Sequence, residues 1–180
     1  MSDQPFQPVT DNIFLFRDTC NVYVIRTGDS AVLIDFGCGD VLSKLPLLGI
    51  QRVTDVLMTH HHHDQGQGLA CALAAGACVW VPATEYDLFA RIDAHRQARA
   101  IYNSYDVRQD RFSLLTSVAV SGTLDDYATR SFGGHPFYIL PTPGHTLGSI
   151  SLLAHIDGKA VAFTGDLIAG PGKIWSLAAT

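Results

Sequence analysis

Short apolar segments separated by turn residues occupy the first third of the chain. Residues 13–17, 20–26 and 31–36 are rich in β-branched and aromatic side chains, and the stretches RDT and TGDS separate them. Such residues favour strands and turns respectively, so the pattern predicts an antiparallel meander. Residues 53–58 are mostly apolar and predict a further, buried strand.

Helical patterns alternate with strands in the middle of the chain. Residues 41–48 predict a short amphipathic helix, and residues 66–75, which are rich in small side chains, predict a second one. Residues 84–104 predict a helix or a helix pair that begins at Thr84 as N-cap and could cover a ligand site. The remaining apolar runs predict strands at 78–81, 113–120, 136–140, 149–154 and 159–163, the last two joined by a hairpin turn at Asp157 and Gly158.

Composition is consistent with one mixed α/β domain over residues 1–180. The chain is 47% hydrophobic and 16% charged, which is typical of a folded protein. Its net charge of −5 gives no electrostatic reason to expect nucleic acid or a membrane as partner, and favours a small-molecule substrate. No secretory signal and no run long enough to span a membrane is present, which predicts a soluble, cytoplasmic protein. The four cysteines lack CxxC spacing and are interpreted as buried, reduced thiols.

Four consecutive histidines, residues 60–63, stand out in the stretch VLMTHHHHDQGQG. Their internal position excludes a terminal purification tag, and the ordered patterns on both sides argue against a low-complexity metal-binding tract. In an extended backbone, alternate side chains point to the same side, so His60, His62 and Asp64 can converge. Two imidazoles and a carboxylate favour zinc or a similar divalent metal. His61 and His63 would then support or pack beside the ligands.

Two further motifs extend this cluster. His145 lies in PTPGHTLGSI, and Asp166 ends an apolar strand in AFTGDLI. The order THHHHDQGQG, PTPGHTLGS and FTGD resembles the metallo-β-lactamase fold superfamily, whose motifs are T-H-x-H-x-D-H, G-H-T-x-G and G-D. The earlier LIDFGCG is similar to that superfamily's strand that ends in an aspartate.

The resemblance implies a four-layer αββα sandwich and a set of metal ligands. His60, His62 and His145 would bind the first metal, and Asp166 would bridge towards a second. Asp64 would bind the second metal or orient the attacking water, and Asp35 would support the site from below. Gln65 stands where the superfamily motif has a histidine, and a carboxamide is a weak, uncharged ligand. One zinc is therefore expected, with iron or manganese as alternatives.

The superfamily domain normally continues past the G-D strand, whereas this chain ends at GKIWSLAAT and has no histidine after His155. We therefore expect a truncated or cleaved form that lacks the closing C-terminal strands and helix. A sheet edge would then be exposed, and a homodimer could cover it.

The function implied by the resemblance is metal-dependent hydrolysis of a small-molecule ester, thioester, lactone or amide by metal-bound hydroxide. Asp64 would act as the catalytic, orienting base. Two other hypotheses remain open at this point. One is a mono-iron, sulfur-oxidising oxidoreductase of the same fold. The other is a catalytically inert domain in which metal only stabilises the histidine loop.

Overall fold

Two β-sheets form the framework of the protein, of which the computed structural model describes residues 4–94, 112–171 and 173–174. The larger sheet contains seven strands in sequence order. These are β1 (Phe6–Pro8), β2 (Ile13–Arg17), β3 (Asn21–Thr27), β4 (Ser30–Ile34), β5 (Arg52–Leu57), β6 (Cys78–Pro82) and β7 (Gly122–Leu124).

Strand direction changes at β4. Strands β1 to β4 form the predicted antiparallel meander, while β4 to β7 pair in parallel. All five residues of β4, SAVLI, are buried. A strand covered on both faces has no solvent side on which to place polar residues, which explains the apolar run AVLI that follows Ser30.

The smaller sheet is antiparallel and has four strands in the order β11-β10-β9-β8. The hairpin between β10 and β11 turns at Asp157 and Gly158, whose φ angles of 52° and 70° fit a type I′ turn. The Asp157 carboxylate also accepts hydrogen bonds from Thr10 and Asn12, which fastens this hairpin to the larger sheet. The strands are β8 (Thr129–Phe132), β9 (His135–Pro141), β10 (Ile150–Ile156) and β11 (Lys159–Phe163).

Apolar side chains fill both faces of the larger sheet. One core lies between the two sheets, where Val32, Ile34 and Leu57 pack with Phe137 and Leu152. A second core lies between the larger sheet and short helices on its other face. The fold is thus mixed α/β with two sheets and few helices, as the sequence predicts. Within the described residues the helical cover is seen on the larger sheet, whereas Tyr138 on the smaller sheet is 38% exposed.

The helices are short. Three α-helices lie wholly within the described residues: α1 (His63–Gly66), α2 (Leu69–Ala74) and α3 (Tyr86–Ala90). Four 3-10 helices cover Asp40–Ser43, Leu45–Leu48, Ala83–Glu85 and Gly165–Leu167, and the last leads into a small ribbon of β12 (Ile168–Gly170) and β13 (Lys173–Ile174). No helix in the described segments has the length and apolarity that a membrane crossing requires.

Two local predictions are wrong, and a third, the helix at 66–75, is confirmed only over Leu69–Ala74. The predicted helix at 41–48 is two 3-10 turns, because Pro46 opens the second turn and has no N–H to continue a helix. The helix predicted at 66–75 starts earlier and is broken into α1 and α2 at Gln67 and Gly68. Residues 113–120 form no strand; Ser113 makes only an isolated bridge with His62.

The long helix predicted at 84–104 is described only in its first part, where a 3-10 turn precedes α3; residues 95–104 lie outside the described segments. Among the cysteines, all four are free, as predicted. However, Cys71 and Cys78 are exposed and the other two are only partly buried, so the prediction of buried thiols is wrong. Cys71 lies on the solvent side of α2, and Cys78 lies on the solvent side of β6. The apolar residues next to them in the sequence do not indicate which side a cysteine faces.

Candidate metal centre

The candidate ligands lie where strands of both sheets end. His60 and His62 follow β5, His145 lies in the connection from β9 to β10, and Asp166 follows β11. The two sheets are joined at this point by a hydrogen bond of 3.1 Å from the backbone N–H of Ile150 to the carbonyl of Thr59. Strand ends from two sheets therefore bring residues more than 80 positions apart to one location.

Three imidazoles form the centre of the site. The rings of His60, His62 and His145 are all buried, and one nitrogen from each lies within 4.8 Å of the others. His62 Nδ1 and His145 Nε2 are 2.9 Å apart. His62 has the extended backbone angles φ −65° and ψ 148°. The extended geometry explains why His60 and His62 share one side while His61 faces elsewhere.

A hydrogen-bonded chain below the site orients His60. Thr59 Oγ1 lies 2.9 Å and 3.1 Å from the two carboxylate oxygens of Asp35, and 3.0 Å from His60 Nδ1. Because the hydroxyl has one proton to donate to Asp35, it accepts from His60 Nδ1–H. This assignment leaves the lone pair of His60 Nε2 directed at the other two imidazoles.

Burial sets the protonation of these groups. It lowers the pKa of His60 well below the usual range, and it lowers the pKa of His62 to about 3, with neighbouring histidines adding to both effects. Burial also lowers the pKa of His145, although Asp166 opposes this. Neutral imidazole is the form that binds metal, so the triad is ready to bind at neutral pH.

Asp166 lies beside the triad but is more open. One of its carboxylate oxygens is 3.4 Å from His145 Nε2 and 3.9 Å from His60 Nε2, and its side chain is 42% exposed. Gly165 precedes it with φ 52°, and a Cβ on this glycine would lie 2.6 Å from Thr59 Oγ1. Only glycine therefore lets the backbone bring Asp166 so close to the histidine loop.

Gln65 contacts Asp166 through its amide. Gln65 Nε2 donates to Asp166 Oδ2 over 3.3 Å, and the backbone carbonyl of Gln65 accepts from the backbone N–H groups of Phe36 and Gly37. Asp64, also predicted as a site residue, is partly buried, and its backbone carbonyl accepts from Thr19 Oγ1. Asp64, Gln65 and Asp166 share a polar cleft of about 410 Å³ with Arg17, Asp18, Thr19, Cys20 and Asn21.

Glu85 and Phe112 have no site role in the sequence prediction, and His61 has only a general supporting role there. His61 and Glu85 are both buried and approach each other to 3.1 Å. Phe112 packs its ring against His62, with the ring centres 5.4 Å apart, and its carbonyl accepts from the N–H of His63. The acidic residues near Thr84 predict only a helix start, and nothing in the local pattern at Glu85 or Phe112 indicates partners tens of residues away.

The arrangement fits a divalent metal. His60 Nε2 is buried and has no hydrogen-bond partner within residues 4–94, 112–171 and 173–174. Tetrahedral zinc holds nitrogens at about 2.0 Å, which places two ligand nitrogens about 3.3 Å apart. The 2.9 Å between His62 and His145 requires only a small adjustment to that spacing. Three nitrogen donors with a nearby carboxylate form a donor set that zinc and similar metals accept.

Comparisons with known proteins agree with this geometry. The chain is 29% identical over 178 residues to a hydroxyacylglutathione hydrolase from Albidiferax ferrireducens, covering 95% of this chain and 54% of the relative. It thus spans about half the length of that relative.

Two solved structures share the fold. The native FEZ-1 metallo-beta-lactamase from Legionella gormanii superposes with a TM-score of 0.71 at 19% identity, covering 94% of this chain and 66% of that one. A Cronobacter sakazakii metallo-beta-lactamase, described by its HARLDQ motif, superposes with a TM-score of 0.66 at 21% identity, covering 88% and 63%. A family model also matches residues 15–178. The chain belongs to the metallo-beta-lactamase superfamily.

Proposed function

We propose that this protein is a metal-dependent hydrolase of thioesters. The observation that carries the proposal is the convergence of three buried, neutral imidazoles with Asp166 at a polar cleft. A metal bound there would polarise the bond under attack and lower the pKa of a coordinated water to about 7. His60, His62 and His145 would hold that metal, with Asp166 as the carboxylate ligand beside them.

The roles of the other residues follow from their places around the cleft. Asp64 lines it and would act as the base that orients the attacking water and accepts its proton. Exposed Arg17 also lines the cleft and would pair with a carboxylate of the substrate. The name of the curated relative supports a 2-hydroxyacyl thioester of glutathione, whose thiol part carries two such carboxylates, as the substrate.

We propose a single zinc ion. Gln65 stands where the superfamily motif has an imidazole ligand, and it presents an N–H donor to Asp166 Oδ2 instead of a ligand atom to a second metal. Residues 60–65 read HHHHDQ and share the first histidine and the final Asp-Gln with the HARLDQ motif of the Cronobacter protein. That similarity supports the view that proteins with this fold accept glutamine at the position of Gln65.

The test is a hydrolysis assay on protein reconstituted with zinc. A 2-hydroxyacyl glutathione thioester is compared with a simple acyl thioester, an ester and a lactone, and thiol or acid release is followed. We expect turnover of the glutathione thioester in the ordinary enzymatic range, from about 1 s⁻¹ upwards, and its loss in His145→Ala. Rates equal to those of His145→Ala for every substrate would refute the proposal. Iron instead of zinc in protein purified without added metal would favour the oxidoreductase alternative.

A further inference from the structure

Glu85 is a carboxylate buried to 3% exposure at the start of α3, away from the polar cleft. Its Oε1 accepts two hydrogen bonds from the loop that carries His145. One comes from the hydroxyl of Thr146, and the other, of 3.1 Å, from the backbone N–H of Gly148. A carboxylate is seldom buried this deeply unless its interactions compensate the lost hydration, so these contacts require explanation.

The second oxygen of the same carboxylate faces the histidine run. Glu85 Oε2 lies 3.1 Å from His61 Nδ1, although the two atoms are not aligned for a hydrogen bond. His61 is 2% exposed and stands between His60 and His62. The buried Glu85 side chain therefore contacts both segments of the site. It approaches His61, which lies between the candidate ligands His60 and His62, and it binds Thr146, which follows the candidate ligand His145.

We propose that Glu85 is a positioning residue that sets the distance between His145 and the pair His60 and His62. This inference rests on the proposed function, since it concerns the same metal centre. Within the His145 loop, the hydroxyl oxygens of Thr146 and Ser149 are 2.6 Å apart, and at the end of the loop the backbone N–H of Ile150 donates to the carbonyl of Thr59 after β5. The Glu85 carboxylate adds a contact at Thr146, the residue next to His145 itself, and so can set where the imidazole lies relative to His60 and His62.

Close packing restricts Glu85 as well. A Cβ added at Gly148 would lie 2.4 Å from Glu85 Cγ, so the loop backbone and the glutamate leave no room for a methyl group. Gly148→Ala would keep the backbone donor but displace the carboxylate. The Glu85 contact can thus be disturbed in two independent ways. Glu85→Gln replaces the carboxylate by an amide, and Gly148→Ala displaces the Glu85 side chain.

The experiment measures zinc affinity directly, by competition with a chromophoric chelator, for the wild-type protein, Glu85→Gln and Gly148→Ala. Cobalt-substituted protein is examined in parallel, because its visible spectrum reports ligand geometry independently of activity. Residues that orient metal ligands typically contribute about 10–100-fold in metal affinity. We expect a loss in that range and an altered cobalt spectrum for both variants, and partial recovery in Glu85→Asp.

Asp55→Asn is the matched control. Asp55 lies on β5, the strand that precedes His60, but its carboxylate accepts a 2.8 Å hydrogen bond from Trp80 Nε1 within the larger sheet. The Asp55→Asn variant should have a lower thermal stability than the wild type, while its zinc affinity should stay within about twofold of the wild-type value, which is the scatter expected for independent sites. Folded Glu85→Gln with wild-type affinity and spectrum would overturn the proposal.

If Glu85→Gln does not fold, Thr146→Val decides the question, with Thr146→Ser retaining the hydroxyl. An affinity loss in the valine variant alone supports the positioning role of Glu85, and equal affinities in both variants refute it. Wild-type protein that binds no zinc at all would instead refute the proposed function, so the two failures are distinguishable.

Discussion

The two sides of the candidate metal centre differ in burial and in what holds their polar atoms. His60, His62 and His145 are enclosed, and two carboxylates behind them, Asp35 and Glu85, contact the residues next to them. Across the centre, the partly exposed Asp64 and Asp166 border an open polar cleft, where buried Gln65 reaches Asp166 through a 3.3 Å hydrogen bond.

This difference separates a site organised before metal binding from one that would have to be assembled. Buried ligands with fixed partners lose little conformational freedom when metal binds, and burial keeps their imidazoles neutral. Half-exposed side chains must be ordered and stripped of water at the moment of binding. The first side should therefore bind metal much more tightly than the second.

The largest effect is expected from His62→Ala. Removing a ligand from the enclosed side should reduce zinc affinity by more than about 100-fold, beyond what loss of a supporting residue costs. Elemental analysis of protein purified without chelator or nickel resin measures the result. His155→Ala is the matched control, because His155 is exposed on β10 and should keep the wild-type metal content. Equal metal in both variants would mean that the metal lies elsewhere.

Gln65→His tests the open side. An imidazole should release Asp166 from the amide and supply the missing nitrogen ligand, which raises the zinc content from about one to about two per chain. Gln67→His makes the same change two residues away at an exposed position and should leave the content at one. If Gln65→His also stays at one, some factor other than the amide prevents the second metal from binding.

A smaller effect, on stability, is expected at Asp35 in the metal-free protein. Burial is the main cause that raises the Asp35 pKa to about 8, opposed by the hydrogen bonds from Thr59. Above pH of about 4 the unfolded carboxyl has lost its proton while the folded one keeps it. Stability should therefore fall as the pH rises from about 4 towards 8, with a slope of at most about 1.4 kcal/mol per pH unit.

Denaturant titrations across this pH range, on protein stripped of metal, measure the slope. Asp35→Asn has no ionisable group at this position and should show a flatter profile, whereas Asp126→Asn, at an exposed position, should follow the wild type. Identical slopes for wild type and Asp35→Asn would show that Asp35 is ionised in the folded, metal-free state.

Much of the architecture could be predicted from the sequence because its cues are local. Alternating or continuous apolar runs indicated β2 to β6 and β9 to β11 to within one or two residues, and Asp157-Gly158 indicated the hairpin turn. The alternation of His60 and His62 in an extended backbone also needs only local geometry. Strands β1, β7 and β8 were missed because three or four residues give no reliable period, and their pairing depends on neighbours that are already folded.

What the tertiary structure decided is which distant groups share one small volume. The sequence by itself determined the donor types, the superfamily and the replacement of histidine by Gln65. It could not assign Glu85 to the His145 loop, Phe112 to the ring of His62 or the Gln65 amide to Asp166, since these contacts join residues 50 to 101 positions apart. Such contacts are set by how two sheets pack, and packing depends on the whole core rather than on any local pattern.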